Sequence, residues 1–407
     1  MSSAMSNAMS SASGANGANG FSAAELRVLR EREFSWEARG DAAHFDHASI
    51  GAIPQRARDA VSAYNDKRAE MFAMRADDFF PILDRGRELA AQLIGAEAGE
   101  IALTTNTSWG VNLAAYALPL GPGDVVLGSA GEFPANVYPW MAAAKARGFE
   151  FELVPMRGHA VDEEAILARI AKDARVKCVA LSWVSFWTGY RVDVAKIGAA
   201  CRARGVYFTV DSIQGLGAAA LDVRAAQVDI LSNGAQKWLC SPWGSGFAYV
   251  RKELITQLVP PAAGWLSQAG AGDFARFLDY DATWRDDAQR FEVGSIPMQD
   301  VLGMNHSLAL QLELGPARIE AHVRSLADRL TAWAAARDDV KLLTPTDAAK
   351  RAGIVAFVTP DIDADSQRLR EARVTHAVRE GAIRLAPHFH NTLDEVERAI
   401  TALDGVG

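Results

Sequence analysis

From about Glu100 to Val250, short runs of β-branched and aromatic residues alternate with amphipathic stretches of helical period. Runs such as Val206-Tyr-Phe-Thr-Val210 and Val176-Lys-Cys-Val-Ala-Leu-Ser-Trp183 lack the apolar–polar alternation of a half-exposed strand. They read as strands covered on both faces, as in a parallel sheet held between helical layers. The spacing predicts strands over Ile101–Thr104, Val125–Gly128, Phe151–Pro155, Val176–Trp183, Val206–Val210, Ile230–Ser232 and Gly246–Val250, and a helix over Val194–Arg204. After Pro297 the pattern lengthens into helices, and Leu314-Gly315-Pro316 stops one while Pro316 opens the next. A strand over Gly353–Val358, a helix, a strand near Ile383 and a helix opened by Thr392-Leu-Asp-Glu395 complete the chain. At the other end, Ser22-Ala-Ala-Glu25 reads as a capping box opening a helix through Arg32.

The fold expected is therefore α/β: a large domain with a mostly parallel seven-stranded sheet flanked by helices, and a smaller α+β C-terminal domain. The division expected is a tail over 1–20, a helical segment 21–44 packing with the small domain, a large domain 45–295 and a small domain 296–407. The first twenty residues hold only Met, Ser, Ala, Asn, Gly and no charge, so they are expected to be a disordered tail. They lack the basic start and apolar run of a secretory signal, and no apolar run is long enough to span a bilayer.

Composition narrows the function classes. With 49% hydrophobic and 23% charged residues the chain has the makings of a large core, and a disordered or collagen-like protein is excluded. Forty-two Lys and Arg against 50 Asp and Glu leave a net charge of -8, with no electrostatic footprint for nucleic acid. Three cysteines, Cys178, Cys201 and Cys240, form no CxxC pair, which argues against a disulfide framework and a structural zinc site. A cytoplasmic location, no metal and no membrane partner are expected.

In a parallel α/β sheet, ligands gather beyond the carboxyl ends of the strands. Thr104-Thr-Asn-Thr-Ser-Trp-Gly110 follows one strand and opens a helix, offering free N–H groups and hydroxyls to an anion, though a plain Thr/Ser cap would look the same. Asp211 follows another strand, where a buried carboxylate requires a cation or hydrogen bonds. Lys237, in Ala235-Gln-Lys-Trp-Leu239, is flanked by apolar side chains that lower an amine's pKa toward nucleophilic use; a snorkelling lysine is the bland alternative. Arg384 sits in the apolar run Ala382-Ile-Arg-Leu-Ala386, held either for a carboxylate or for a rim salt bridge. An anion cradle, a buried carboxylate, a desolvated lysine and a positioned arginine are together what a pyridoxal 5'-phosphate enzyme asks of its protein.

At these motifs the chain resembles the class V aminotransferases, a fold type I family that includes cysteine desulfurases, kynureninase-like hydrolases and isopenicillin N epimerase-like proteins. The resemblance runs from Phe45-Asp-His-Ala-Ser-Ile-Gly51 to His388-Phe-His-Asn-Thr392. It implies an aspartate aminotransferase-like fold and Thr107 and Ser108 on the cofactor phosphate. It further implies Phe133 stacked on the ring, Asp211 at the pyridine nitrogen, Gln214 near the phenolic oxygen, Gln236 as a phosphate contact and Lys237 as the imine-forming lysine. Arg290-Phe-Glu-Val-Gly-Ser295 resembles a segment that reaches a partner subunit's phosphate through Ser295, implying a homodimer with shared sites. Arg384 would bind the substrate carboxylate. Apart from the resemblance, Trp109, Trp187, Tyr190 and His47 are candidates to contact the substrate side chain, and each reads equally well as packing.

Departures from the family pattern narrow the reaction. Phe133 stands where desulfurases stack a histidine, and residues 344–381 contain no cysteine to act as a mobile thiolate, so efficient cysteine desulfuration is not expected. Transamination between an amino acid and a keto acid is the leading expectation, with a lyase or epimerase as the alternative. Gly215-Leu-Gly-Ala-Ala-Ala220 matches a dinucleotide fingerprint, but it lies too far after the strand ending at Asp211 and too deep in the chain.

Overall fold

The computed structural model describes residues 20–405 apart from 71, 73, 76, 77, 276 and 277; all but the last residue of the expected tail lies outside them. The central sheet comprises β1 (Ile101–Thr104), β2 (Val125–Ser129), β3 (Glu150–Val154), β4 (Val176–Ser182), β5 (Tyr207–Asp211), β6 (Ile230–Gly234) and β7 (Gly246–Val250). Their order is β1-β7-β6-β5-β4-β2-β3, and only β7 runs antiparallel to its neighbours. All seven predicted strands form, with ends shifted by a residue or two. The shift that matters is in β5, which includes Asp211 as its last residue, paired in register with Ser182 and Ser232.

Successive residues of these strands face opposite helical layers, as the pleat requires. In β4, Val179 and Leu181 join one apolar cluster while Cys178 and Ala180 join the other. Helix α1 (Phe80–Ile94) packs on the first layer, together with Val194–Arg204, and α2 (Thr107–Ala117) packs on the second. Helix α3 (Met298–Leu314) lies against α1 and against the helix Gln55–Ala69, so the chain beyond residue 296 first adds to the core of the large layer.

The remaining strands β8 (Lys341–Leu342), β9 (Val355–Val358), β10 (Ala377–Arg379) and β11 (Ala382–Leu385) form an antiparallel sheet in the order β10-β11-β9-β8. It packs on helices α4 (Pro316–Ala335) and α5 (Leu393–Leu403) around Phe357, Leu369 and Ile383. Both capping boxes read from the sequence are present, at Ser22/Glu25 and Thr392/Glu395. The N-terminal helix Ala23–Glu33 reaches this unit through Arg30 Nη2, which donates to Glu395 Oε1 at 2.7 Å with both side chains buried. Ala43–His44 then pairs in parallel with Val374–Thr375.

Candidate active site

The carboxyl ends of β1, β2, β4, β5 and β6, with the start of the antiparallel β7, lie along one edge of the sheet. At the end of β1, Asn106 caps α2 by accepting from the Trp109 amide at 3.0 Å. The first-turn amides of Thr107 and Ser108 then have no acceptor inside the helix. Thr107 Oγ1 is buried without a partner. Across from it lies Gly234, where a methyl group would stand 3.0 Å from Thr107 Oγ1 and 2.7 Å from Gln236 Oε1. Thr107, Gln236 and the bare Gly234 backbone thus outline a cradle that a larger residue at 234 would fill. Helix α2 can sit this close because Gly110 meets Ser232, whose Oγ would be 2.5 Å from any Cβ there.

Lys237 follows β6 in a turn closed by the Cys240 amide on Lys237 O at 3.0 Å. Its Nζ lies 5.5 Å from the centroid of Phe133, which projects from the loop after β2 and meets Phe186 edge-on at 5.2 Å. Burial lowers the lysine to about 8, against the opposing pull of Asp211. Asp211, buried at the end of β5, accepts from the Ile213 amide at 3.0 Å; burial raises it to about 6, with that amide and Lys237 pulling the other way. One group the sequence reading passed over is Glu132. Its carboxyl accepts from the Ser182 amide at 2.8 Å, from Ser182 Oγ and from Asn136 Nδ2 at 3.1 Å, and burial pushes it up to about 7. It ties the Phe133 loop to Ser182, the register partner of Asp211. Its only sequence signal was that it precedes Phe133.

The segment from Asp46 to Gly51 straps across Lys237. The Gly51 amide donates to Gln236 O at 2.8 Å, and a methyl group at Gly51 would lie 2.0 Å from Lys237 O. Gln214 links the strap to the lysine turn: its Nε2 donates to Ala48 O and its Oε1 accepts from Trp238 Nε1, each at 2.9 Å. Arg384, in β11, is 2% exposed; its Nη1 donates to Phe186 O at 2.6 Å and its Nη2 to Ser49 Oγ at 2.7 Å and Asp46 Oδ1 at 3.1 Å.

One residue read as a site member sits elsewhere. His47, expected to touch substrate, is fully buried with Nδ1 on Ala386 O at 3.0 Å and Nε2 on His390 Nε2 at 2.9 Å. Both ring nitrogens are engaged, so it supports the strap from behind. Ser295, expected to reach a partner subunit, is exposed. In the buried histidine cluster Ala386 O can only accept, so His47 Nδ1 carries the hydrogen, and Nε2 of neutral His47 accepts from His390. His390 Nδ1 then shares one proton with Glu37 Oε2, 2.5 Å away. Burial pushes Glu37 up to about 8 and holds both histidines well below the ordinary imidazole value, so that proton resides on Glu37. Among the described residues, no His, Cys, Asp and Glu group is arranged to hold a metal.

The sequence profile of Aminotransferase class-V matches residues 44–395. The chain belongs to the class V aminotransferase family. Within this pyridoxal-phosphate-dependent family, the chain is 29% identical over 311 residues to the protein named uncharacterized aminotransferase YcbU of Bacillus subtilis, covering 76% of this chain and 80% of that one. It is 29% identical over 377 residues to isopenicillin N epimerase of Streptomyces clavuligerus, covering 88% and 93%. The fold is that of the cysteine desulfurase from Thermococcus onnurineus, with a TM-score of 0.81 at 22% identity over 93% of this chain and 97% of that one. This class V chain also fits the family's cofactor on its own geometry. The cradle with its unpartnered Thr107 Oγ1 suits a phosphate, Asp211 suits a pyridinium, and the desolvated Lys237 amine suits an imine. No helix among the described residues is long and apolar enough to cross a membrane.

Proposed function

We propose that this class V enzyme is an aminotransferase exchanging the amino group of an amino acid with a keto acid. The observation that carries the reading is the convergence of Lys237, Asp211 and Phe133 at one sheet edge, with the Thr107–Gln236 cradle beside them. When bound, pyridoxal phosphate supplies an electron sink for the pair of electrons left on the substrate α-carbon. Asp211, as a carboxylate, would hold a proton on the pyridine nitrogen. Thr107, Ser108 and Gln236 would take the phosphate and Phe133 would stack on the ring, while Gln214 holds the strap against the lysine turn. Arg384 takes the substrate carboxylate. Lys237 Nζ, lowered to about 8 by burial, would accept the α-proton as general base and return it toward the bound cofactor; water would then have to cleave the substrate C=N bond to release the keto acid, and a second keto acid would close the cycle.

All three cysteines are buried, with thiols pushed up by burial, Cys201 to about 12, which supports the reading that none serves as a desulfurase nucleophile. The likeness to isopenicillin N epimerase keeps a lyase or epimerase as the second reading. We further propose a homodimer with Ser295 facing the partner's phosphate site, a division near residue 295 into large and small domains, and a cytoplasmic location. The exposed Phe72, Trp243, Leu278 and Tyr280 supply apolar surface that a second copy would cover.

The test is the absorption spectrum of the purified protein and of Lys237→Ala, with single amino acids added. A visible band lost in Lys237→Ala, converted by an amino acid with release of its keto acid and restored by a second keto acid, is expected. Ammonia release with an unchanged band establishes a lyase instead, loss of optical activity an epimerase, and persulfide formation from free cysteine a desulfurase.

A further inference from the structure

Arg384, the residue read above as the carboxylate grip, is not open in this structure. Its guanidinium is buried, with Nη1 on Phe186 O and Nη2 shared between Asp46 Oδ1 and Ser49 Oγ, while Nε is buried without a partner. An entering carboxylate can form a two-pronged contact only by replacing one of these partners. Phe186 O is backbone, and the Ser49 hydroxyl is neutral and also accepts from Arg379 Nη2 at 3.4 Å. Asp46 is the group chemically equivalent to the incomer. Its backbone is pinned, since its carbonyl accepts from the Ser49 and Ile50 amides at 2.9 and 3.0 Å, but its side chain is 17% exposed and ends in one flexible carboxylate.

A landing place exists. Arg379 lies on the far side of Ser49 Oγ, is exposed and forms no ion pair among the described residues. Arg384 is tied to the lysine's surroundings through Phe186, whose carbonyl it holds and whose ring meets Phe133 beside Lys237 Nζ. We propose that Asp46 is a resident counter-ion that occupies Arg384 while no substrate is bound and yields it to the substrate α-carboxylate by turning toward Arg379. The exchange keeps the buried guanidinium neutralised throughout, which removes the penalty of an unpaired buried cation in the substrate-free enzyme. It also makes productive binding depend on a carboxylate, because an amine that carries none cannot displace Asp46.

This inference rests on the aminotransferase-family site proposed above, and its test separates the two. The probes are glycine, which carries an α-carboxylate, and methylamine, which does not, titrated against the cofactor band of the holoenzyme. In Asp46→Asn the competitor is gone, so the apparent affinity for glycine rises about tenfold, the equivalent of ~1.4 kcal/mol, while that for methylamine stays unchanged. In Arg379→Ala the affinity for glycine falls, and in the double variant Arg379→Ala has no further effect, because Asp46 no longer needs a second partner. Weaker or unchanged glycine binding in Asp46→Asn overturns the proposal and makes Asp46 a fixed brace for Arg384. Equal changes for both amines also overturn it, placing the effect on Lys237. A holoenzyme without a lysine-dependent band defeats the reading of the site itself.

Discussion

Lys237 and Asp211 illustrate how two charged residues acquire function from burial. Each is pushed toward its neutral form by desolvation and pulled back by the other, which leaves Lys237 at about 8 and Asp211 at about 6. Because the free amine is the nucleophile, cofactor uptake by the apo-protein, followed by the visible band, should accelerate as pH rises through about 8 and level off above it. An ordinary lysine would continue accelerating toward pH ~10.4. Asp211 carries a stability consequence of its own. Its folded pKa is raised from 3.8, so the proton it binds stabilises the apo-protein fully below that value, and the contribution is lost as pH rises through about 6. Denaturant titrations of apo Asp211→Asn should show a flatter pH profile over this window, the wild type losing up to about 3 kcal/mol relative to the variant. These values could not be read from sequence, since Val210-Asp211 and Gln236-Lys237-Trp238 suggest burial without saying how close the two groups come.

At the scale of elements, the inner strands such as β4 and β5 were legible because a strand covered on both faces leaves a nearly unbroken hydrophobic signature, whereas the edge strand β3, Glu150–Val154, showed itself by alternation. Their ends were less legible. The run Val206–Val210 stops at the first charge, yet the ladder carries on through Asp211, whose side chain is accommodated by the Ile213 amide and Lys237. Capping boxes were readable because both halves lie three residues apart: Thr392→Ala should lower stability by about 1 kcal/mol in thermal unfolding, with the cofactor band intact. The strap was not readable as a strap. Gly51 looks like any loop glycine, and only the fold brings it against Lys237 O. Gly51→Ala forces a methyl group into a backbone oxygen 2.0 Å away, so it should destabilise the protein by about 1–3 kcal/mol and reduce cofactor occupancy, read from the band per mole of protein.

Across the whole molecule, residues from opposite ends of the chain meet behind the site. Arg30 pairs with Glu395, and the Glu37 carboxyl donates to His390 Nδ1, while His390 donates its Nε2 hydrogen to His47 on the strap. Glu37 is raised from 4.5 to about 8, so the stability its proton confers is complete below pH 4.5 and gone once pH passes about 8. Glu37→Gln keeps a donor for His390 Nδ1 without an ionisable proton; unfolding measurements should find it less pH-dependent than the wild type and more stable above pH 8. Periodicity, capping and turn chemistry are local properties, so the α/β class, the succession of strands and long helices, the caps and the family motifs could all be read along the chain. Tertiary structure alone decided that His47 turns away from the site, that Glu132 anchors the Phe133 loop, and that Asp46 covers Arg384. Those outcomes depend on which distant groups share a buried space, and burial and proximity across hundreds of residues leave no mark on the local pattern.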